Sequence, residues 1–400
     1  MIKEKPIMKA TEKYKEIYGR EAEHTSFCPY RISPLGAHID HQLGIINGLA
    51  IDRGISIAYS PKHNGVVELQ SINFPGKRAQ FHVSAIPDVK VGDWADHCRG
   101  AALILSRKYK LTVGLSGVIE GTLPIGGLSS SASVIIVFLS ALAAVNGIRL
   151  EEWETIMMAK AAENEYVGVN CGKLDQSCEV LCKANQLLYL DCADDSYSLI
   201  PWNGPNFSIA IFCSGLERSL ANSAYNLRQD ECKAAAYSLL AHADIPYGKF
   251  KDAVLRSVPE EAFEKYKDLL PLPFKRRATH FFGEIKRARD GAEAWKQGDI
   301  KAYGQLVFAS GASSVSNYEC GCPELIRLYE IMTETPGIYG GRFSGAGFKG
   351  ACMALIDPRM EDEVLERVER EYLASFPQLE GRYMGTVCHS ADGVDLANFR

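Results

Sequence analysis

The chain predicts an α+β fold in two domains, and three observations carry that expectation. Its 400 residues exceed the ~250–300 residues at which a single core stops growing, so two domains are the natural division. Strand-like and helix-like patterns are mixed without the regular βαβ period of a doubly wound sheet. A segment of turn formers, Trp202-Asn203-Gly204-Pro205, divides the chain into residues 1–204 and 205–400.

Within residues 26–122 the strings GIINGLAIDRGISIAYS, GVVELQSI and LSGVIEG read as strands. Asn64-Gly65 supplies a hairpin turn that tolerates positive φ. Apolar spacing predicts a helix over Trp94–Tyr109. A long helix opens at Ser129 and stops at Asn146-Gly147, whose residues favour the left-handed conformation. A second helix covers 151–168, a third begins near Asp175, and a strand follows at Gln186–Asp191. The second half opens with a strand at Phe207–Cys213. Helices follow at 223–242, 259–268, 275–297, 299–311 and 323–335, then a Gly-rich segment from Gly337 to Gly350. A strand (Ala351–Ile356), a charged helix (Glu361–Ser375) and a strand near Gly385–His389 close the pattern.

Composition excludes several function classes. Forty-four Lys and Arg against 49 Asp and Glu leave a formal net charge of -5, the wrong sign for a nucleic-acid binder held by bulk positive charge. The longest apolar run, Ala132–Val145, is shorter than the ~20 residues of a membrane span. The N-terminal residues alternate charged and apolar types without the apolar stretch of a secretory signal, so a cytoplasmic location is expected. The 12 cysteines show no repeated CxxC pair of the zinc-ribbon kind. Several lie in apolar segments as small core residues, which suits a reducing compartment. A monomer and a homodimer are both compatible with the pattern.

Three glycine patterns invite a phosphate reading. Gly345-Ala346-Gly347-Phe348-Lys349-Gly350 matches GxGxxG but precedes a strand, where a dinucleotide fingerprint must open a helix. Gly172-Lys173 is followed by Leu174, so no Walker A loop is present. The string Leu123-Pro124-Ile125-Gly126-Gly127-Leu128-Ser129-Ser130-Ser131-Ala132 stands directly before a long helix. Glycines admit an anion close to the backbone, serines add donors, and the helix start supplies free N–H groups. The alternative is a serine-rich N-cap. Glu163 and Asp175 lie downstream, across a loop containing Gly168 and Gly172. Asp175 is either an N-cap or an ionised base for a sugar hydroxyl. A carboxylate with a serine hydroxyl also makes a plausible magnesium pair.

These residues resemble the GHMP family of small-molecule kinases. The serine-glycine string is similar to the family's phosphate loop. Tyr30-Arg31-Ile32-Ser33-Pro34-Leu35-Gly36-Ala37-His38-Ile39-Asp40 resembles the galactokinase-branch signature GRxNLIGEHxDY, and Ser344 through Gly350 resembles the third family motif. Ala162-Glu163, Leu174-Asp175-Gln176 and Ser223-Ala224-Tyr225-Asn226-Leu227-Arg228 match in register. The resemblance implies a two-domain α+β kinase, with an N-terminal ribosomal-protein-S5-like domain, a C-terminal ferredoxin-like domain and the active site in the cleft between them. It implies ATP and Mg2+ as cofactors, Asp175 as base at the anomeric hydroxyl, and Arg31 as the charge that stabilises transfer. By the same carry-over Ser131 and Glu163 hold magnesium, and Gly126, Gly127, Leu128, Ser129 and Ser130, with Pro124 and Ser131, surround the ATP phosphates. Trp94 resembles the aromatic near the nucleotide, or is a core tryptophan. Ala37, His38, Asp40, His41, Tyr225, Ala346 and Lys349 fall at sugar-side positions.

Departures from the galactokinase pattern bear on the substrate. Ala37 replaces a glutamate that reaches the sugar's C6 hydroxyl, His41 replaces a tyrosine, and Lys349 replaces a glycine. Removing a carboxylate and adding an ammonium both make the site more positive, which suits a C6 carboxylate and is needless for a C6 alcohol. PLGAHIDHQ, FSGAGFKG and SNYECG resemble the galacturonokinase branch. The expected reaction is D-galacturonate plus ATP to galacturonate 1-phosphate and ADP. Galactose 1-phosphorylation and a non-catalytic sugar and ATP sensor are the competing readings. Lys349 contacts the sugar, contacts phosphate, or is a solvated charge.

Overall fold

The computed structural model describes residues 7–124, 126–216 and 222–396; the side chains of Ile7 and of residues 222–224 are not described. Ile125 of the glycine string and the side chains of Ser223 and Ala224 therefore lie outside the described residues.

The first half holds helix α1 (Ile7–Tyr18) and strands β1 (His24–Leu35), β2 (Ile45–Lys62), β3 (Val66–Ser71) and β4 (Arg78–His82). Helix α2 (Asp96–Lys108), strand β5 (Gly114–Gly121), and helices α3 (Ser130–Val145), α4 (Glu152–Ala161) and α5 (Leu174–Leu181) follow, then β6 (Gln186–Asp191) and β7 (Tyr197–Pro201). The second half runs β8 (Ser208–Cys213), α6 (Asn222–His242), α7 (Glu260–Tyr266), α8 (Leu272–Lys296), α9 (Ile300–Ser313), α10 (Pro323–Glu334), β9 (Ile338–Phe343), β10 (Ala351–Ile356), α11 (Glu361–Ser375), β11 (Met384–Cys388) and β12 (Ser390–Ala391).

The larger sheet is ordered β4-β3-β5-β2-β6-β7, with β1 and β12 also paired to β2. The length of β2 explains this: one edge takes β1, while the other takes β6 at Ile45–Gly48, β12 at Ala50–Ile51 and β5 at Ile55–Lys62. The smaller sheet, β11-β8-β10-β9, is antiparallel throughout. The hairpin expected at Asn64-Gly65 is corrected here. The chain does turn there, with Gly65 at φ 75°, but β5 inserts between β2 and β3, antiparallel to one and parallel to the other. Turn chemistry fixes the reversal of direction; which strand lies alongside is decided by long-range pairing.

Helix α3 carries the apolar run that is too short for a membrane span. Its residues from Ile135 to Ala143 are all buried, as expected of a helix apolar on every side. It packs on β1 and β2 and against α2, so the loop before it is anchored from beneath. Among the described residues no helix is long and apolar enough to cross a membrane. None of the twelve cysteines, all among the described residues, forms a disulfide.

Candidate functional site

The two glycine motifs meet. Gly127 sits at φ 81°, and a Cβ there would come within 2.8 Å of the Ala351 nitrogen; one on Gly350 would come within 2.8 Å of the Gly126 carbonyl carbon. The glycines thus let the loop before α3 and the loop between β9 and β10 touch backbone to backbone, which no side chain would permit. Arg31 of β1 ties this seam: its Nη1 donates to the Gly127 carbonyl at 3.2 Å and to Ser344 Oγ at 3.5 Å.

The same guanidinium holds Asp175. Arg31 Nε and Nη2 both reach Asp175 Oδ1 at 2.8 Å, with the arginine 3% and the aspartate 26% exposed. Burial works against the arginine's charge, but Asp175 outweighs it and raises the guanidinium above its ordinary value. Asp175 is the second residue of α5, whose N-cap is Lys173. The N-cap alternative for Asp175 is therefore excluded, and the helix start supplies a positive end beside the carboxylate. Asp40 accepts from the Leu174 N–H at 3.2 Å, and burial with the neighbouring Asp175 charge raises its carboxyl above the usual range. Gly172 is required beside it, since a Cβ there would stand 2.0 Å from Asp40 Oδ2.

The serines are not used as caps. Ser129, the N-cap of α3, adopts φ 62° without a side-chain cap bond, and its buried hydroxyl has no hydrogen-bond partner. An orphaned hydroxyl at a helix start is a polar group awaiting a partner. Glu163 lies in a π-helical turn (Ala162–Val167) that continues α4, a departure that often marks functional positions. Its Oε2 accepts from the Gln176 amide and from the Cys171 thiol at 3.4 Å.

One cavity gathers these groups. It is lined by Arg31, Ala37, His38, Asp40, Gly126, Gly127, Ser129, Ser130, Ser131, Glu163, Asp175, Tyr225, Ala346 and Lys349. Four expected residues stand outside its lining. His41 turns to Tyr318, its Nε2 at 3.2 Å from the phenol oxygen. Leu128 is buried, Pro124 is exposed, and Trp94 packs over Phe74 with ring centroids 6.0 Å apart. Sequence reasoning did not single out Ser33, Cys171, Phe343 or Phe348, which also line the cavity; Ser33, Phe343 and Phe348 were visible only inside strings around a motif, and Cys171 only as part of the loop between Gly168 and Gly172. Tyr318 was missed as well. It stacks on His38 at 4.4 Å and 8°, and no local pattern announces a contact between residues so distant in the chain.

The lining carries Arg31 and Lys349 against Asp40, Glu163 and Asp175. Arg31 is committed to Asp175, and Lys349 is the second cation of the lining. The histidines nearby add no charge: burial, then Lys233, lowers His41 to about 3, and burial lowers His280 of α8 to about 4. Unfolded histidine takes its proton near pH 6.5, whereas these stay neutral in the fold. Stability is therefore lost as pH falls below 6.5, by roughly 1.4 kcal/mol per pH unit per histidine until the folded values are reached. Glu284, lowered to about 2 although burial opposes it, because the Arg287 and Arg342 guanidinium groups favour its charge, adds a further loss only below pH ~4.5. Buried Glu179 and Asp40, both raised by burial, contribute in the opposite sense. Urea denaturation at pH 7 and pH 5 is expected to show the net fall, and His41→Gln to make it shallower; parallel slopes for native and variant would contradict the buried neutral state.

Comparison with known proteins gives three matches to family models: the GHMP kinases N terminal domain over residues 96–183, the GHMP kinases C terminal over 292–374, and the galactokinase galactose-binding signature over 12–61. The chain is 36% identical over 392 residues to a galacturonokinase of Arabidopsis thaliana, covering 92% of each chain. It is 30% identical to a galactokinase of Bos taurus, covering 98% of this chain and 97% of that one. The crystal structure of Lactococcus lactis galactokinase complexed with galactose superimposes with a TM-score of 0.87 at 26% identity, covering 96% of this chain and 98% of the other.

Proposed function

Because the chain belongs to the GHMP kinase family, in its galactokinase-like branch, we propose that it transfers the γ-phosphoryl group of ATP to the anomeric hydroxyl of D-galacturonate. The observation that carries the sugar acid is the presence of both Ala37 and Lys349 in the lining of the cavity that also holds Asp175 and Arg31. In this reading a carboxylate at C6 meets the Lys349 ammonium, and position 37 carries alanine where the galactokinase signature has glutamate.

In this reading Asp175 accepts the proton of the C1 hydroxyl. Both Arg31 bonds fall on Oδ1, leaving Oδ2 for the sugar. The C1 oxygen forms a bond to the γ-phosphorus as the bond to the β–γ bridging oxygen breaks, and ADP leaves. Little covalent work falls to the protein, so positioning and charge carry the catalysis. Gly126, Gly127 and Ser129 to Ser131 receive the phosphates at the positive end of α3. Ser131 and Glu163 are a hard-oxygen pair of the kind magnesium takes together with phosphate oxygens and water, and the orphaned Ser129 hydroxyl in the same cavity lining fits a polar occupant. When bound, magnesium supplies charge neutralisation of the phosphates. Trp94, which stands outside the cavity lining, takes the base side of the nucleotide in this reading on the strength of the resemblance. Residues 1–204 and 205–400 act as the two halves of the cleft, in a cytoplasmic enzyme.

Galactose is the second reading, favoured by the match to the galactose-binding signature. An ATP-consumption assay across both sugars, with the phosphorus–proton coupling of the product read by NMR, tests the reaction. Coupling to the anomeric proton is expected. Phosphate on any other carbon, or no turnover with either sugar, refutes it.

A further inference from the structure

His280 and Glu284 lie four residues apart on α8, on one face of the helix, and both reach the peptide of Ala37. Glu284 Oε1 accepts from the backbone N–H of Gly36 at 3.0 Å and of Ala37 at 3.4 Å, while His280 Nε2 stands 3.0 Å from the Ala37 carbonyl oxygen. A carbonyl only accepts, so Nε2 carries the proton, and Nδ1 of the neutral ring accepts from the Ser313 hydroxyl at 3.0 Å.

The grip is itself held from three sides. Glu284 is fully buried, and its charge is met by Arg287 Nε at 2.6 Å, by Arg342 Nη1 at 3.4 Å and by the Ser310 hydroxyl. Arg342, on β9, also donates to Ser314 Oγ at 2.9 Å and to the Phe343 carbonyl at 3.1 Å. Helices α8 and α9 and strand β9 are thus locked to one loop. That loop needs the support: Gly36 has φ 84° and His38, which is not glycine, has φ 62°. Such a conformation persists where the surroundings over-determine it.

We infer that the His280 and Glu284 pair is the positioning device of the sugar-side loop, gripping the Ala37 peptide at its N–H and its C=O so that Ala37, His38 and Asp40 hold their places in the cavity wall. The pair acts through the loop and not on the phosphates, whose proposed seat is the start of α3. Its signature is therefore a loss of sugar affinity at unchanged ATP affinity. The inference rests on the sugar-kinase reading.

Steady-state kinetics on His280→Phe and His280→Gln test it, using whichever of galacturonate and galactose the native enzyme phosphorylates. Phenylalanine keeps a ring but loses the donor to Ala37; glutamine can donate again. His280→Phe is expected to raise KM for the sugar about tenfold, the loss of one buried hydrogen bond, with KM for ATP unchanged, and His280→Gln to recover most of it. Should His280→Phe not fold, Glu284→Gln is read for the same split, since it removes the charge that organises the loop. Equal rises in both KM values, or no change in either, overturn the inference while leaving the kinase reading standing. A native enzyme that turns over neither sugar removes the kinase reading and the inference with it.

Discussion

Asp175→Asn is expected to lower kcat by about 10²–10⁴-fold, the usual contribution of a positioned general base, with little change in melting temperature. The substitution separates two roles of one side chain. Asparagine keeps an oxygen at the position that accepts from Arg31 Nε and Nη2 at 2.8 Å, so the buried guanidinium keeps a hydrogen-bond partner. It cannot take a proton from a sugar hydroxyl. Asp175→Ala, by contrast, strips the partner from a buried charge, a change that costs about 3–5 kcal/mol. Kinetics and thermal melting on the two variants distinguish these effects: an Asp175→Asn enzyme with native kcat would show that the base lies elsewhere.

Lys349→Met is expected to reduce the ratio of kcat/KM for galacturonate over galactose by about 10–100-fold, and Lys349→Met with Ala37→Glu to reverse the preference. Two unit charges ~4 Å apart interact by ~4 kcal/mol at the effective dielectric near a protein surface and ~1 kcal/mol in bulk water, and each 1.4 kcal/mol is about tenfold. Lys349 is partly exposed, so the lower part of that range applies. Ala37→Glu introduces a carboxylate into the same lining, where it is expected to repel a uronate and to accept from a C6 hydroxyl. Equal loss of activity toward both sugars on Lys349→Met would assign the lysine to the phosphates instead.

Local chemistry made much of this molecule legible and left its long-range contacts hidden. The helix after Ser129-Ser130-Ser131 and the strands Gln186–Asp191 and Ala351–Ile356 follow from apolar spacing and turn residues, and they stand where that spacing puts them. The Gly-rich stretch 337–350 conceals β9, because Gly340 and Gly341 carry no strand signature. Asn64-Gly65 announced a turn and misled about pairing, since nothing local says that a strand fifty residues on will slip between its flanks. The site follows the same division. Arg31, Asp175, Ala37 and Lys349 sit in recognisable strings, whereas His280 and Glu284 on one helix and Arg342 on a strand about sixty residues on acquire meaning only when the Ala37 peptide meets them. Net charge gives no guide either: the cavity lining holds three carboxylates against two cations, so on the proposed reading substrate choice turns on where one ammonium stands.

The most direct test of this account is kcat/KM for D-galacturonate and D-galactose measured side by side on the native enzyme with ATP and magnesium. A preference for galacturonate is the predicted result, and a clear preference for galactose would contradict the role given to Ala37 and Lys349.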